Sequence, residues 1–358
     1  MSKDLREEIT NWRLGESNFS VYFLLKILNR HCPDWTFGED IRTLTKVPET
    51  SLISEGKGFS SKIYSVKLFL EENKEYGFCV KIPSTFHLES SIMAAAENLT
   101  EDRIQEEKQK ARRMIAQGHL RELNFYKFAS QNIPPNFMKI PKFIYGREWT
   151  KDQEGIILME DFSPVCKKEF VLREPFSHPQ ILLLIEQIAK LQISSIKKEN
   201  LIQEFPILEN TVNSISKYAH LSCEILLSKN LDFFTEEIAA KILDFSKKNT
   251  LIQLLSRISD DIQPVLVHSA IWPGNVLWDS EDEVELISIL DWQSCFFGSP
   301  TADLAALLAI SVTGQERRLH EDEYLQYFVV CFNNLRNQSS EKEKIPILNF
   351  EIIKENYG

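Results

Sequence analysis

Residues 265–293 read VLVHSAIWPGNVLWDSEDEVELISILDWQ, and this stretch decides the fold. An apolar run, Val265-Leu266-Val267, ends at His268. A loop with Pro273 and Gly274 closes on Asn275. A second apolar run, Val276-Leu277-Trp278, meets the acidic turn 279–285, and a third run, 286–290, delivers Asp291. The pattern predicts strand, loop, strand, turn, strand. His268, Asn275 and Asp291 each fall at the end of an apolar run, where a strand would present them to one cleft.

A kinase catalytic loop has the form H-x-D-x-x-x-x-N. Its Asp takes the proton of the substrate hydroxyl, its Asn holds a Mg²⁺, and an Asp on the next hairpin holds the bridging Mg²⁺. His268 and Asn275 stand at that spacing, and Asp291 takes the place of the later Asp. The position of the base is Ala270. The frame of a phosphotransferase site is therefore present without its proton acceptor.

Outward from this stretch, the chain of 358 residues has room for two lobes. A formal net charge of −11 argues against a nucleic-acid or anionic-membrane surface. No apolar run is long enough to span a bilayer. The polar start, MSKDLREEIT, does not read as a secretory signal. Cys32, Cys79, Cys166, Cys223, Cys295 and Cys331 are scattered without paired spacing, the pattern of reduced thiols in a cytoplasmic protein.

Residues 20–31 have helical periodicity with a Ser at the start. Residues 61–70 and 76–82 read as strands around the polar turn 71–74. Gly56 and Gly58 precede them in a loop of the kind that covers ATP phosphates, although an ordinary turn has the same composition. Lys81, in FCVKIP, fits the Lys that reaches those phosphates. Residues 90–117 read as one or two exposed helices or partly a mobile insertion, and after Gly118 a separate helix carries Glu122, the natural partner of Lys81, although a plain surface Glu fits the pattern equally. Residues 143–147 and 155–159 read as two further strands. The second ends at Glu160 and Asp161, where a hinge would offer backbone groups to an adenine edge. Residues 180–196, two or three segments in 205–248, 303–310 and 320–334 read as helices. The last residues, ILNFEIIKENYG, read as a helix begun and not finished, so the C-terminal layer reads as incomplete. Strands first and helices after give an α+β chain of two unequal lobes. The expected divisions are an N-terminal helical extension 1–48, a small lobe 49–161 and a large helical lobe 162–358.

These motifs, in this order, resemble the aminoglycoside phosphotransferase and choline kinase group, and within it the choline-kinase-like branch that includes ecdysteroid kinases. GKGFSSKIYSVKL, FCVKIPS, RELNFYKF, ILMEDFS, VLVHSAIWPGNVLWD, ILDWQ and ADLAALLA carry the resemblance, which spans roughly residues 50–335. It implies a protein-kinase-like fold, with a small antiparallel-sheet lobe and a larger, mostly helical lobe. It further implies transfer of the γ-phosphate of ATP to a small-molecule hydroxyl. On this resemblance Gly56 and Gly58 cover the nucleotide, Lys81 touches its phosphates, Glu122 holds Lys81, and Glu160 and Asp161 flank the adenine. Asn275 and Asp291 ligate Mg²⁺, His268 braces the loop, Trp272 packs under it, and Asp303 bonds its backbone.

The departures are local. The family's Gly is Ser269, its catalytic Asp is Ala270, and its LHA reads Leu191-Gln192-Ile193. Three readings stay open: a nucleotide-binding pseudokinase with impaired transfer, an active small-molecule kinase using another base such as Asp279, and an interaction module with a vestigial cleft. Intact Lys81, Asn275 and Asp291 favour the first two. Ala270 favours the first and third.

Overall fold

The computed structural model describes residues 2–54, 60–94, 100–166, 174–196, 198, 200–207, 209–256, 262–282 and 284–357, side chains at 209–211 and 214 excepted. The helices, in chain order, are α1 (Lys3–Asn11), α2 (Val21–His31), α3 (Phe86–Ala94), α4 (Glu101–Asn132), α5 (His178–Ser195), α6 (Leu201–Glu204), α7 (Glu209–Ser228), α8 (Glu236–Phe245), α9 (Lys248–Leu255), α10 (Ala302–Ile310), α11 (Gly314–Gln338) and α12 (Phe350–Tyr357). The strands are β1 (Glu49–Leu52), β2 (Ser61–Phe69), β3 (Glu75–Pro83), β4 (Phe143–Arg147), β5 (Ile156–Met159), β6 (Val265–Val267), β7 (Val276–Trp278), β8 (Leu286–Ile289) and β9 (Phe296–Gly298). They fall into two compact units. One comprises Met1–Ser130, Ile140–Lys168 and Trp278–Gln293, the other Gln131–Lys139, Glu169–Leu277 and Ser294–Gly358.

The first unit is built on a five-stranded sheet in the order β1-β2-β3-β5-β4. Every pairing in it is antiparallel. Strand alternation sorts its side chains. Val66 and Leu68 on β2, Phe78 and Val80 on β3, and Ile156 and Leu158 on β5 share one buried cluster with Ile9, Leu24, Leu25 and Leu28 of α1 and α2. Full burial of each such side chain contributes about 1.5–3 kcal/mol. The alternate positions face the other way, toward α4. Tyr126 on that helix stacks on Phe143 with ring centroids 5.4 Å apart and reaches the Met159 sulfur at 3.7 Å.

Local signals place the ends of these elements. Ser20 caps α2, its hydroxyl accepting the Phe23 N–H at 3.3 Å. The turn between β2 and β3 puts Glu72 and Asn73 at positive φ, a conformation that the short Asn side chain tolerates. One expectation is corrected: no helix ends at Gly118, and α4 runs unbroken through it. A mid-helix Gly costs only about 1 kcal/mol, too little to break a helix anchored along its length. The anchors are Phe125, Tyr126 and Phe128, all buried.

The second unit is largely helical, and among its described residues β6 pairs antiparallel with β9 in a short two-stranded sheet. Its longest helix, α11, begins six residues before the expected start at residue 320, because Thr313 caps it through the Glu316 N–H at 3.1 Å. Gln192, buried in α5, donates its Nε2 to the Pro300 carbonyl at 2.8 Å. Ser195, one turn on, accepts the Leu266 N–H at 2.8 Å and so ties α5 to β6. The fold is therefore the expected kinase-like α+β class, an antiparallel five-stranded unit followed in the chain by a largely helical one. Among the described residues no helix is long and apolar enough to cross a membrane.

Candidate functional site

Lys81 lies on β3, the middle strand of the sheet, between Ile63 on β2 and Ile157 on β5. It belongs to the alternation that faces α4, and it is buried. Its Nζ is 2.6 Å from Glu122 Oε2 and 2.7 Å from Asp291 Oδ1. The ion pair expected between Lys81 and Glu122 is thus made, and Asp291 joins it. Burial alone would lower the Lys81 pKa, but the charges of Asp291 and then Glu122 more than offset that and hold the ammonium above its ordinary range. Burial raises the Glu122 carboxyl above its ordinary range, and the Lys81 charge pulls back part of that rise. Asp291 keeps its side chain 28% exposed, so the cluster opens on that side only.

Neighbouring contacts hold this arrangement in place. The Trp292 backbone N–H bonds the Glu122 carboxylate. The Trp292 ring, fully buried, stacks on Phe125 with centroids 3.6 Å apart and planes 3° from parallel. Phe125 is one turn on from Glu122, so the stack fixes the face that Glu122 presents. Gln293 then bonds Asp291 Oδ2 through its Nε2 at 3.3 Å and accepts the Ser60 hydroxyl at 2.9 Å. Sequence reading singled out neither Trp292 nor Gln293. The available signal was their adjacency to Asp291 in LDWQ.

Gly56 and Gly58 lie outside the described residues. At the end of β5 the Glu160 N–H donates to the Lys142 carbonyl at 3.0 Å, so it is not free to meet an adenine edge. The Asp161 carboxylate accepts the Ser163 N–H at 2.8 Å and the hydroxyls of Ser65 and Ser163. Asp279 is committed to its own turn, accepting the N–H groups of Glu281 at 2.8 Å and Asp282 at 3.1 Å. Its own N–H donates to the Glu285 carbonyl at 2.9 Å.

In the second unit the loop after β6 is bonded throughout. Asp303, buried at the start of α10, accepts the N–H of His268 at 2.8 Å and of Ser269 at 2.7 Å. Burial pushes its carboxyl pKa up to about 6, and the two N–H donors pull back only part of that rise. His268 Nδ1 accepts the Ala270 N–H at 3.1 Å, which bridges the loop. Asn275 donates its Nδ2 to the Ala270 carbonyl at 3.0 Å, leaving its amide oxygen for another partner. Gly274 is required here, since a Cβ would sit 2.4 Å from the Trp272 ring. Ser269 and Asp291 both adopt positive φ, 70° and 65°. The Ala270 side chain is a methyl group with no acceptor for a proton.

No curated protein matches the chain in sequence. Among solved structures it is similar to the GDP complex of wild-type aminoglycoside 2'-phosphotransferase-IIIa, with 12% identity, 93% of this chain and 96% of that one covered, and a TM-score of 0.43. It is similar also to the ADP-bound aminoglycoside phosphotransferase APH(2'')-Ib, with 16% identity, coverage of 86% and 90%, and a TM-score of 0.40. A third is the macrolide 2'-phosphotransferase MphH from Brachybacterium faecium, with 12% identity, coverage of 87% and 82%, and a TM-score of 0.39. A family model matches residues 39–357, nearly the whole chain, and on that match the protein belongs to the DUF1679 family, described as uncharacterized oxidoreductase dhs-27.

Proposed function

We propose that this protein binds Mg²⁺-ATP and passes phosphate to a small-molecule hydroxyl very slowly or not at all. The observation that carries the first half is Lys81, buried on the middle strand and held at 2.6 and 2.7 Å by Glu122 and Asp291. Buried ion clusters rarely add stability over well-packed apolar residues. A cost of that kind is better explained by a ligand that needs a fixed ammonium. A Lys on the third strand, paired with a Glu on the following helix, is how kinases position the nucleotide phosphates.

The donor atoms also suit a hard divalent cation, which takes oxygen ligands. Asp291 offers a partly exposed carboxylate, and the resemblance gives Asn275, whose nitrogen already bonds Ala270, as the second ligand. Bound Mg²⁺ would neutralise charge on the nucleotide phosphates. The residues do the rest: Lys81 meets phosphate oxygens, Glu122 keeps Lys81 in place, and His268 and Asp303 fix the loop.

The second half of the proposal rests on Ala270. A positioned general base is worth about 10² to 10⁴ in rate. Asp279, the other candidate base, is supported less well, because two backbone N–H groups already occupy one of its oxygens. The oxidoreductase of the family's description has no counterpart in the sheet. The Rossmann dinucleotide-binding fold is built on parallel strands with crossover helices, and the five-stranded sheet here is antiparallel. We place the protein in the cytoplasm, a setting in which cysteines of scattered spacing persist as thiols.

Thermal unfolding with and without Mg²⁺-ATP tests the reading. Nucleotide at about a hundred times its dissociation constant should stabilise the fold by about 2.7 kcal/mol. Lys81→Met should lose that shift. No shift in the parent at millimolar nucleotide would leave the interaction-module reading in its place.

A further inference from the structure

We propose that His178, His320 and Glu323 form a binding site for a divalent transition-metal ion of the zinc type, independent of the phosphotransferase reading. All three residues lie in the second unit. His178 is the first residue of α5, just after its N-cap Ser177. His320 and Glu323 stand three apart on α11 and so share a face. His320 Nδ1 is 2.7 Å from Glu323 Oε2, and His178 Nε2 is 3.4 Å from Glu323 Oε1. The imidazole centroids are 4.6 Å apart. One donor atom from each residue falls within 4.8 Å of the other two. Zinc bonds to N and O of about 2.0–2.2 Å in a tetrahedron set donors roughly 3.3–3.6 Å apart, so the donor atoms lie within about an ångström of that spacing.

The outer contacts carry the inference beyond proximity. A metal-bound histidine uses its second ring nitrogen to bond a fixed partner, which sets tautomer and ring plane. His178 has one, and His320 has a carboxylate 3.6 Å from its second nitrogen, beyond hydrogen-bond distance. His178 Nδ1 is 3.0 Å from the hydroxyl of Tyr324, whose side chain is buried. With hydrogen on Nδ1, the ring donates to that oxygen and keeps the Nε2 lone pair on the Glu323 side. His320 Nε2 is 3.6 Å from Glu316 Oε2, which leaves Nδ1 for the ion. Glu316 and Glu323 bring two negative charges. These oppose the partial positive charge of the α5 N-terminus, which would otherwise disfavour a cation there. Two imidazoles and one carboxylate suit zinc, copper or nickel better than magnesium. The three side chains are 30%, 27% and 53% exposed, so an ion can enter and keep an open coordination position. A bound ion would join the first turn of α5 to α11 across a sequence separation that no local motif reveals.

The test uses the full chain, stripped with a chelator and titrated with Zn²⁺ by calorimetry and with Co²⁺ by visible absorption. The expected result is one equivalent bound, tetrahedral Co²⁺ bands without thiolate charge transfer, and a higher unfolding temperature with Zn²⁺. His320→Ala and Glu323→Gln should each weaken binding by at least about tenfold, and Tyr324→Phe by about ten- to a hundredfold through the outer contact. His220→Ala, at an exposed histidine on α7, should change nothing. Glu323 is exposed, so its variant should unfold in chelator at the parent's temperature and report binding alone. No uptake by the parent, or uptake unchanged in Glu323→Gln and His320→Ala, would overturn the proposal.

Discussion

Ser269 sits at a φ of 70°, where an L side chain crowds the following carbonyl. Its N–H is held by Asp303 at 2.7 Å, so the loop cannot relax away from that conformation without losing a buried bond. The resemblance puts Gly at this position, and the backbone explains why: only Gly adopts it without a penalty. Ser269→Gly should therefore stabilise the protein, by about 0.5–1 kcal/mol after the entropy that Gly itself loses on folding. Chemical denaturation of parent and variant measures this, and a destabilised variant would mean that the Ser side chain contributes something the backbone does not reveal. Asp291, at a φ of 65°, shares the strain, but its carboxylate is engaged by Lys81 and Gln293 and the same exchange would remove both contacts.

At the scale of elements, α10 matters through one side chain. Asp303 is fully buried, and its carboxyl is pushed up from 3.8 to about 6. Its folded pKa lies above its unfolded one, so the folded state holds the extra proton between those values. Its contribution to stability is then greatest below about pH 4 and is lost as pH rises through about 6. The full span is about 3 kcal/mol. Asp303→Asn removes the titration and keeps one acceptor. The stability difference between variant and parent should move in the variant's favour by up to that amount between pH 4 and pH 7. A difference independent of pH would mean that the two N–H donors have already returned the carboxyl to its ordinary range. Elements such as α10 were legible in the sequence because DLAALLAI is apolar on every side and one acid in it demands a partner. Lys81 and Glu122 were legible for the same reason, as charges set in apolar runs. β1 was not: all four of its residues are exposed, and pairing with β2 alone makes it a strand. β9 was missed because Phe296-Phe297-Gly298 has no alternation, and its Gly is dictated by the Leu255 carbonyl, which would lie 2.5 Å from a Cβ. The histidine cluster on α5 and α11 was missed because its members meet only through packing.

For the molecule as a whole, the issue is whether a chain that keeps a clamped Lys81 but carries Ala270 turns over. Phosphoryl transfer depends mainly on positioning and charge, and a missing base slows it rather than forbidding it. A loss of about 10² to 10⁴ corresponds to roughly 3–5 kcal/mol of barrier. Placing a carboxylate there with Ala270→Asp keeps the loop's backbone bonds, since the Ala270 N–H and C=O make them, to His268 and Asn275. If the remaining residues still position nucleotide and acceptor, ATP consumption across a panel of choline-like and sterol-like alcohols should rise by about 10² or more over the parent. Ser269→Gly added to it should raise the rate further only if the strained backbone limits the loop. Two results would alter this picture in different ways. Brisk turnover by the parent would mean that another group takes the proton. Tight Mg²⁺-ATP binding with no gain from Ala270→Asp would mean that the acceptor side has drifted as well. Gln192, buried with an amide oxygen that finds no hydrogen-bond partner, is the residue to change next. Its Nε2 holds the Pro300 carbonyl, and Gln192→His asks whether an imidazole, which the resemblance puts at this position, raises turnover.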